Sequence, residues 1–151
     1  MRGRLVGIYT AETGGKPMDA HDEVRALAGV GLEGDRYATK SGEFSAREGG
    51  GREVTLIARE AIAAANADVT IGENETRRNL VTEGVDLDAL IGRQFTVGDV
   101  VMVGVRDCPP CAYLEKLTRA GVRAALTGGG GLRADIVRDG VIRVGDEIST
   151  V

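Results

Sequence analysis

The chain has 151 residues, a formal net charge of −4 at pH 7, one histidine and no tryptophan. That length suits a single domain over residues 1–151, which buries roughly two-thirds of its unfolded surface without a disulfide or metal to hold it. The acidic balance and scarce aromatics argue against bulk nucleic-acid binding and against a stacking platform for single strands, and no apolar run is long enough to span a membrane.

In chain order, a strand is predicted over 4–10 and a loop over 11–22, broken by Gly14, Gly15 and Pro17. Residues 23–28 read as a strand or an irregular segment. Residues 29–38 form a glycine-punctuated turn ending in Gly34-Asp35-Arg36-Tyr37, and 39–51 a polar, glycine-rich surface loop. A strand over 53–57 leads into a short alanine-rich helix over 59–66. A strand over 77–81 follows, and Asp86 suits the N-cap of a helical turn through Leu90. Strands over 93–97 and 100–106 flank Gly98-Asp99. One helix is expected over 113–126, with Leu114, Leu117, Gly121, Ala124 and Ala125 on one face, stopped by four glycines at 128–131. Strands over 132–138 and 141–143 and a segment over 147–151 close the chain. A Gly-Asp turn recurs at Gly145-Asp146, joining short antiparallel strands. Many short strands, frequent glycine turns and few helices predict a mixed α/β, β-rich chain, a β-barrel with short helices packed around it. The absence of repeating βαβ units argues against a doubly wound sheet.

Cys108-Pro109-Pro110-Cys111 holds the only two cysteines. It follows a β-branched run (Val100, Val101, Val103, Val105) and precedes the expected helix. The partial positive charge of a helix N-terminus favours thiolate over thiol, and the prolines stiffen the link and withhold two backbone donors. Both cysteines also suit the role of small buried hydrophobes. A Cys-x-x-Cys pair equally serves a cofactor-free thiol redox or sensing domain. Two cysteines make no disulfide framework, and no apolar signal segment is seen at the N-terminus; both point to a reducing cytoplasm.

Sixteen of the nineteen basic residues are arginine. A GC-rich genome yields that bias, but arginine is also the better fork for phosphate or carboxylate. Asp35-Arg36 reads as a structural ion pair at a turn. Arg77 and Arg78 read as a solvated strand end, facing water or pairing with Glu83; in the other reading the Arg78 fork and the Asn79 amide are donors to an anion. The glycines at 128–131 stop a helix and also allow an anion nest with Arg133 just beyond; no Lys-Ser or Lys-Thr follows, so they are not a nucleotide P-loop. His21, in a polar loop, reads as exposed. With Cys108 and Cys111 it gives too few ligands for a closed zinc site.

The order of blocks resembles a known family. Gly34-Asp35-Arg36-Tyr37, then Arg52-Glu53-Val54-Thr55-Leu56-Ile57, then Arg77-Arg78-Asn79-Leu80-Val81-Thr82-Glu83-Gly84-Val85-Asp86-Leu87 resemble successive parts of the MOSC domain, the C-terminal domain of molybdenum-cofactor sulfurase. The likeness continues through Leu90 to Asp99, Pro110-Cys111, and Gly131 to Asp146. It implies a β-barrel fold and either sulfur transfer or binding of a molybdenum cofactor (molybdopterin) through a cysteine thiolate. The family's signature cysteine follows a proline, which assigns the catalytic and metal-ligating role to Cys111. Cys108 resembles an extra cysteine of small stand-alone members, an auxiliary thiol able to resolve a Cys111 persulfide by forming a disulfide. Arg78 and Asn79 match the family's anion-contacting block, and Arg36 and Arg133 join them as cofactor-binding candidates. Pyridoxal phosphate is not expected in this chain, because no lysine stands out for it and larger members carry it in another domain. The implied partners are a small anionic ligand and a cysteine desulfurase or molybdoenzyme, on which the chain also suits the role of a non-catalytic carrier module.

Overall fold

The alternation of apolar and polar residues along the first strand sets the architecture. In β1 (Arg2–Thr10) Leu5 and Ile8 are buried while Arg2 and Arg4 are exposed, with a register shift between Leu5 and Gly7 that keeps both apolar side chains inward. The structure, a computed structural model, describes residues 2–40 and 50–151. The remaining strands are β2 (Asp19–His21), β3 (Glu23–Leu27), β4 (Gly31–Leu32), β5 (Val54–Ala58), β6 (Leu80–Glu83), β7 (Gln94–Val97), β8 (Val100–Asp107), β9 (Leu132–Arg138), β10 (Gly140–Arg143) and β11 (Glu147–Thr150). The helices are α1 (Arg59–Ala65), α2 (Ala112–Leu117) and α3 (Val122–Ala125).

The main sheet runs β11-β7-β8-β9-β5-β6-β1-β2, and β11 also pairs with β1. That last pairing closes seven strands into a barrel and leaves β2 as an appendage on β1. Neighbours are antiparallel except β5 and β6, which run parallel. A parallel pair needs a crossover, and α1 lies in it. A second sheet, β10-β3-β4, lies beside the barrel.

β5 shows why the helices sit where they do. Val54 and Leu56 join the main core with Leu5, Leu80, Phe95, Met102 and Leu132. Ile57 faces the other way and packs with Val81, Ile62, Leu114, Val122 and Leu126. The β5–β6 region is thus buried on both faces, and the three helices cover its outer side. The Cys108–Cys111 segment joins this layer to the end of β8.

The structure departs from the sequence expectations in four places. The single helix over 113–126 is two helices: α2 stops at Leu117, where the C-cap Thr118 leaves helical geometry at φ −117° and ψ −98°, and Gly121, left-handed at φ +95°, is the N-cap that starts α3. The buried residues there are Leu114, Val122 and Leu126, while Leu117 and Ala124 are exposed. The strand expected from 77 starts at Leu80, since Arg77 sits at φ +64°. The turn near Asp86 is a 3-10 turn over Asp88–Leu90 with no side-chain cap. His21 is part of β2, half-buried and hydrogen-bonded to Thr10 at 2.6 Å. Most of the loop read over 39–51 lies outside the described residues. No described helix is long and apolar enough to cross a membrane.

Candidate functional site

The prolines end β8, and the turn they form must find partners for its buried carbonyls elsewhere. Arg78, from the segment before β6, supplies them. Its Nη2 donates to the carbonyls of Cys108 (2.9 Å) and Pro109 (3.3 Å), and its Nε to that of Gly130 (2.7 Å). The Cys108 N–H donates to the Gly131 carbonyl at 2.8 Å. Gly130 has to be glycine: a Cβ there would press on the Cys108 carbonyl and lie 2.7 Å from Pro110 Cδ. The glycine loop is therefore a flat seat for the proline turn. Both thiols are free. Cys108 is 1% exposed, whereas Cys111, extended just ahead of α2, is partly exposed.

Cys111 lines a small cavity of about 30 Å³ together with Gly14, Tyr37, Tyr113, Leu114 and four arginines, Arg36, Arg77, Arg78 and Arg133. Arg36 is held by Asp35, whose buried carboxylate bonds it at 3.0 Å and also accepts from the Ala11 and Tyr37 N–H groups. Its Nη2 donates to the Arg77 carbonyl at 2.9 Å, and its guanidinium lies 4.5 Å from the Tyr37 ring centre. The Asp35–Arg36 ion pair thus also positions a cation at the cavity. Arg77 is half-buried in a left-handed backbone conformation and donates to the Lys16 carbonyl. Burial first, and then the charge of Arg36, hold its pKa below the usual arginine value. Crowded cations in a sheltered site are a state that an incoming anion relieves.

The sequence candidates divide at this point. Cys111, Arg36, Arg78 and Arg133 meet at the cavity. Asn79 does not: it is fully buried behind it, with Oδ1 accepting from the N–H and hydroxyl of Thr55 and Nδ2 donating to the Tyr9 carbonyl. Its polar atoms tie β1 to β5. Cys108 belongs to the wall of a second cleft of about 430 Å³, bordered by Glu60, Asp86, Asp88, Asp107 and the glycines at 128–131. That cleft is larger, but its carboxylates carry the wrong sign for an anion. Glu83 pairs with Arg4 and Arg59, not with Arg77 or Arg78. Among the described residues no three His, Cys, Asp or Glu side chains gather as metal ligands. Reading by residue type passed over Arg77, Tyr113 and Gly14; Tyr113, two residues after the signature cysteine, was the accessible signal.

Comparison with known proteins shows the family and the fold. The model of the MOSC domain matches residues 43–149. The chain belongs to the MOSC domain family. Arg36, from the segment before the matched residues, still contributes to the cavity of this MOSC protein. Among solved structures the MOSC chain is similar to the YuaD protein of Bacillus subtilis (TM-score 0.81, 18% identity, covering 99% of this chain and 96% of that one). It is also similar to YiiM of Geobacillus stearothermophilus (TM-score 0.70, 16% identity, 99% and 75%) and to YiiM of Escherichia coli (TM-score 0.66, 17% identity, 100% and 70%). At these identities the likeness is one of fold. No curated protein matches.

Proposed function

We propose that this MOSC protein carries sulfur as a persulfide on Cys111. The observation that carries the reading is the placement of Cys111, the more exposed of the two thiols, on one cavity with four arginines. The Cys111 thiolate attacks the terminal sulfur of a donor persulfide, R–S–SH. The donor S–S bond breaks, R–S⁻ leaves and takes up the proton, and a new S–S bond forms on Cys111, with no net oxidation. In the second step a nucleophile on the acceptor attacks that terminal sulfur and Cys111 leaves as thiolate. The guanidinium groups favour the anionic sulfur species in both steps. Cys108 takes no part while the proline turn holds, since a Cys108–Cys111 disulfide would expel sulfide and require the buried thiol to move. A cysteine desulfurase is the class of donor that fits.

The molybdenum cofactor associated with the family tests the same donor set. A thiolate is a soft ligand for molybdenum, and arginine forks suit a phosphate. The cavity, at about 30 Å³, is close to the room of one water molecule. It admits a small anion and not a pterin ring, so the residues as arranged fit a small anion rather than the whole group.

The test is incubation with a cysteine desulfurase and free cysteine, followed by fragment-ion mass spectrometry. Addition of one sulfur atom at Cys111 is expected, lost in Cys111→Ser and kept in Cys108→Ser. No adduct on the wild-type chain would refute persulfide carriage. Stoichiometric molybdenum and pterin in the purified protein would establish the cofactor reading in its place.

A further inference from the structure

The family block containing Arg78 and Asn79 is expected to touch an anion, yet Arg78 is occupied otherwise. A guanidinium has five N–H donors. Four hydrogen bonds leave Arg78, to the carbonyls of Gly130, Cys108, Pro109 and Thr76. The side chain is 7% exposed. Three of those acceptors belong to the two segments that meet at the proline turn, and the prolines themselves offer no N–H to any competing ladder. A lysine has the charge but not the planar fork needed to reach separate carbonyls at once.

We propose that Arg78 is a positioning residue. It ties the Cys108–Cys111 turn to the glycine loop so that Cys111 faces the arginine cavity, and leaves contact with the anion to the other cations there. The inference rests on the reading that Cys111 works within that cavity.

Alkylation of Cys111 by iodoacetate and by iodoacetamide tests it, because the two reagents differ in charge and little in size. The rates are read at each cysteine by mass spectrometry on folded protein, with folding checked by circular dichroism. In the wild-type chain the iodoacetate-to-iodoacetamide ratio at Cys111 is expected to exceed that of free cysteine by about fivefold, the effect of nearby positive charge. Arg78→Lys and Arg78→Met are both expected to bring the ratio down to that of free cysteine, since either releases the turn. Cys108, protected in the wild type, then becomes labelled.

A ratio kept by Arg78→Lys and lost in Arg78→Met would show that Arg78 acts by charge on the anion and would overturn the proposal. A ratio unchanged in both would show a merely structural residue and would overturn it too. If neither variant folds, Gly130→Ala displaces the same turn while keeping all four arginines. It is expected to lower the ratio, and an unchanged ratio there overturns the proposal. A wild-type ratio equal to that of free cysteine overturns the cavity reading and this inference together, whereas an elevated wild-type ratio with unaffected variants overturns this inference alone.

Discussion

At Arg77 the backbone stands at φ +64°, a conformation that costs a non-glycine residue about 1 kcal/mol. The strain puts a guanidinium beside Arg36 at the mouth of the Cys111 cavity. Asparagine tolerates this conformation better than most residues. Arg77→Asn is therefore expected to stay within about 1 kcal/mol of wild-type stability while lowering the preference of Cys111 for anionic reagents, as measured by thermal melting and alkylation rates. Residue type was enough for the Asp35–Arg36 ion pair and for a thiol just ahead of a helix at Cys111, because both features are local, while their candidacy as site residues came from the family resemblance. It was not enough for Arg78 and Asn79. Their partners lie far away in sequence, 30 and 52 residues on for Arg78 and 70 residues back for Asn79, and only the fold brings them within reach.

Glycine and carboxyl positions govern the elements. Hydrophobic spacing over 113–126 suggested one helix, but spacing does not reveal that Gly121 adopts φ +95°. A β-carbon is disfavoured there, so Gly121→Ala is expected to destabilise the chain by about 1 kcal/mol in denaturant titration. At the β5–β9 junction Glu53 accepts from the Ile136 N–H at 2.9 Å, and Asp135 accepts from the Gly51 N–H at 2.8 Å. Burial, and then the neighbouring Asp135, push the Glu53 carboxyl above its ordinary range, against the opposing pull of the Ile136 bond. A raised carboxyl favours the neutral folded form. Its contribution is complete below the ordinary glutamate range and fades as pH rises through the raised value. Glu75 has the opposite sign: hydrogen bonds from Arg119 and the Gly72 N–H hold it down, so its contribution is present above the ordinary range and is lost as pH falls. Thermal melts across the acid range are expected to show Glu53→Gln gaining relative stability as pH rises, and Glu75→Gln flattening the loss on the acid side. The short strands were legible from apolar alternation and Gly-Asp turns. Their partners were not, since pairing depends on barrel closure.

For the whole molecule, closure between β1 and β11 joins the two ends of the described chain and removes the exposed edges of an open sheet. Leu56 is fully buried in the main core, and Leu56→Ala is expected to cost about 2–5 kcal/mol with a single cooperative transition by calorimetry. The Cys111 cavity lies outside that core, between the helix layer and the loops before β2 and β5. Changes at Cys111 are therefore expected to alter chemistry and leave the barrel's stability intact.

The most direct measurement is the rate at which glutathione persulfide loads each cysteine, resolved by mass spectrometry, with and without inorganic phosphate at matched ionic strength. Loading is expected at Cys111 alone, and phosphate is expected to slow it by competing for the arginines. Equal loading at Cys108, or a Cys111 rate indifferent to phosphate, would contradict the placement of a working thiol in a cationic cavity.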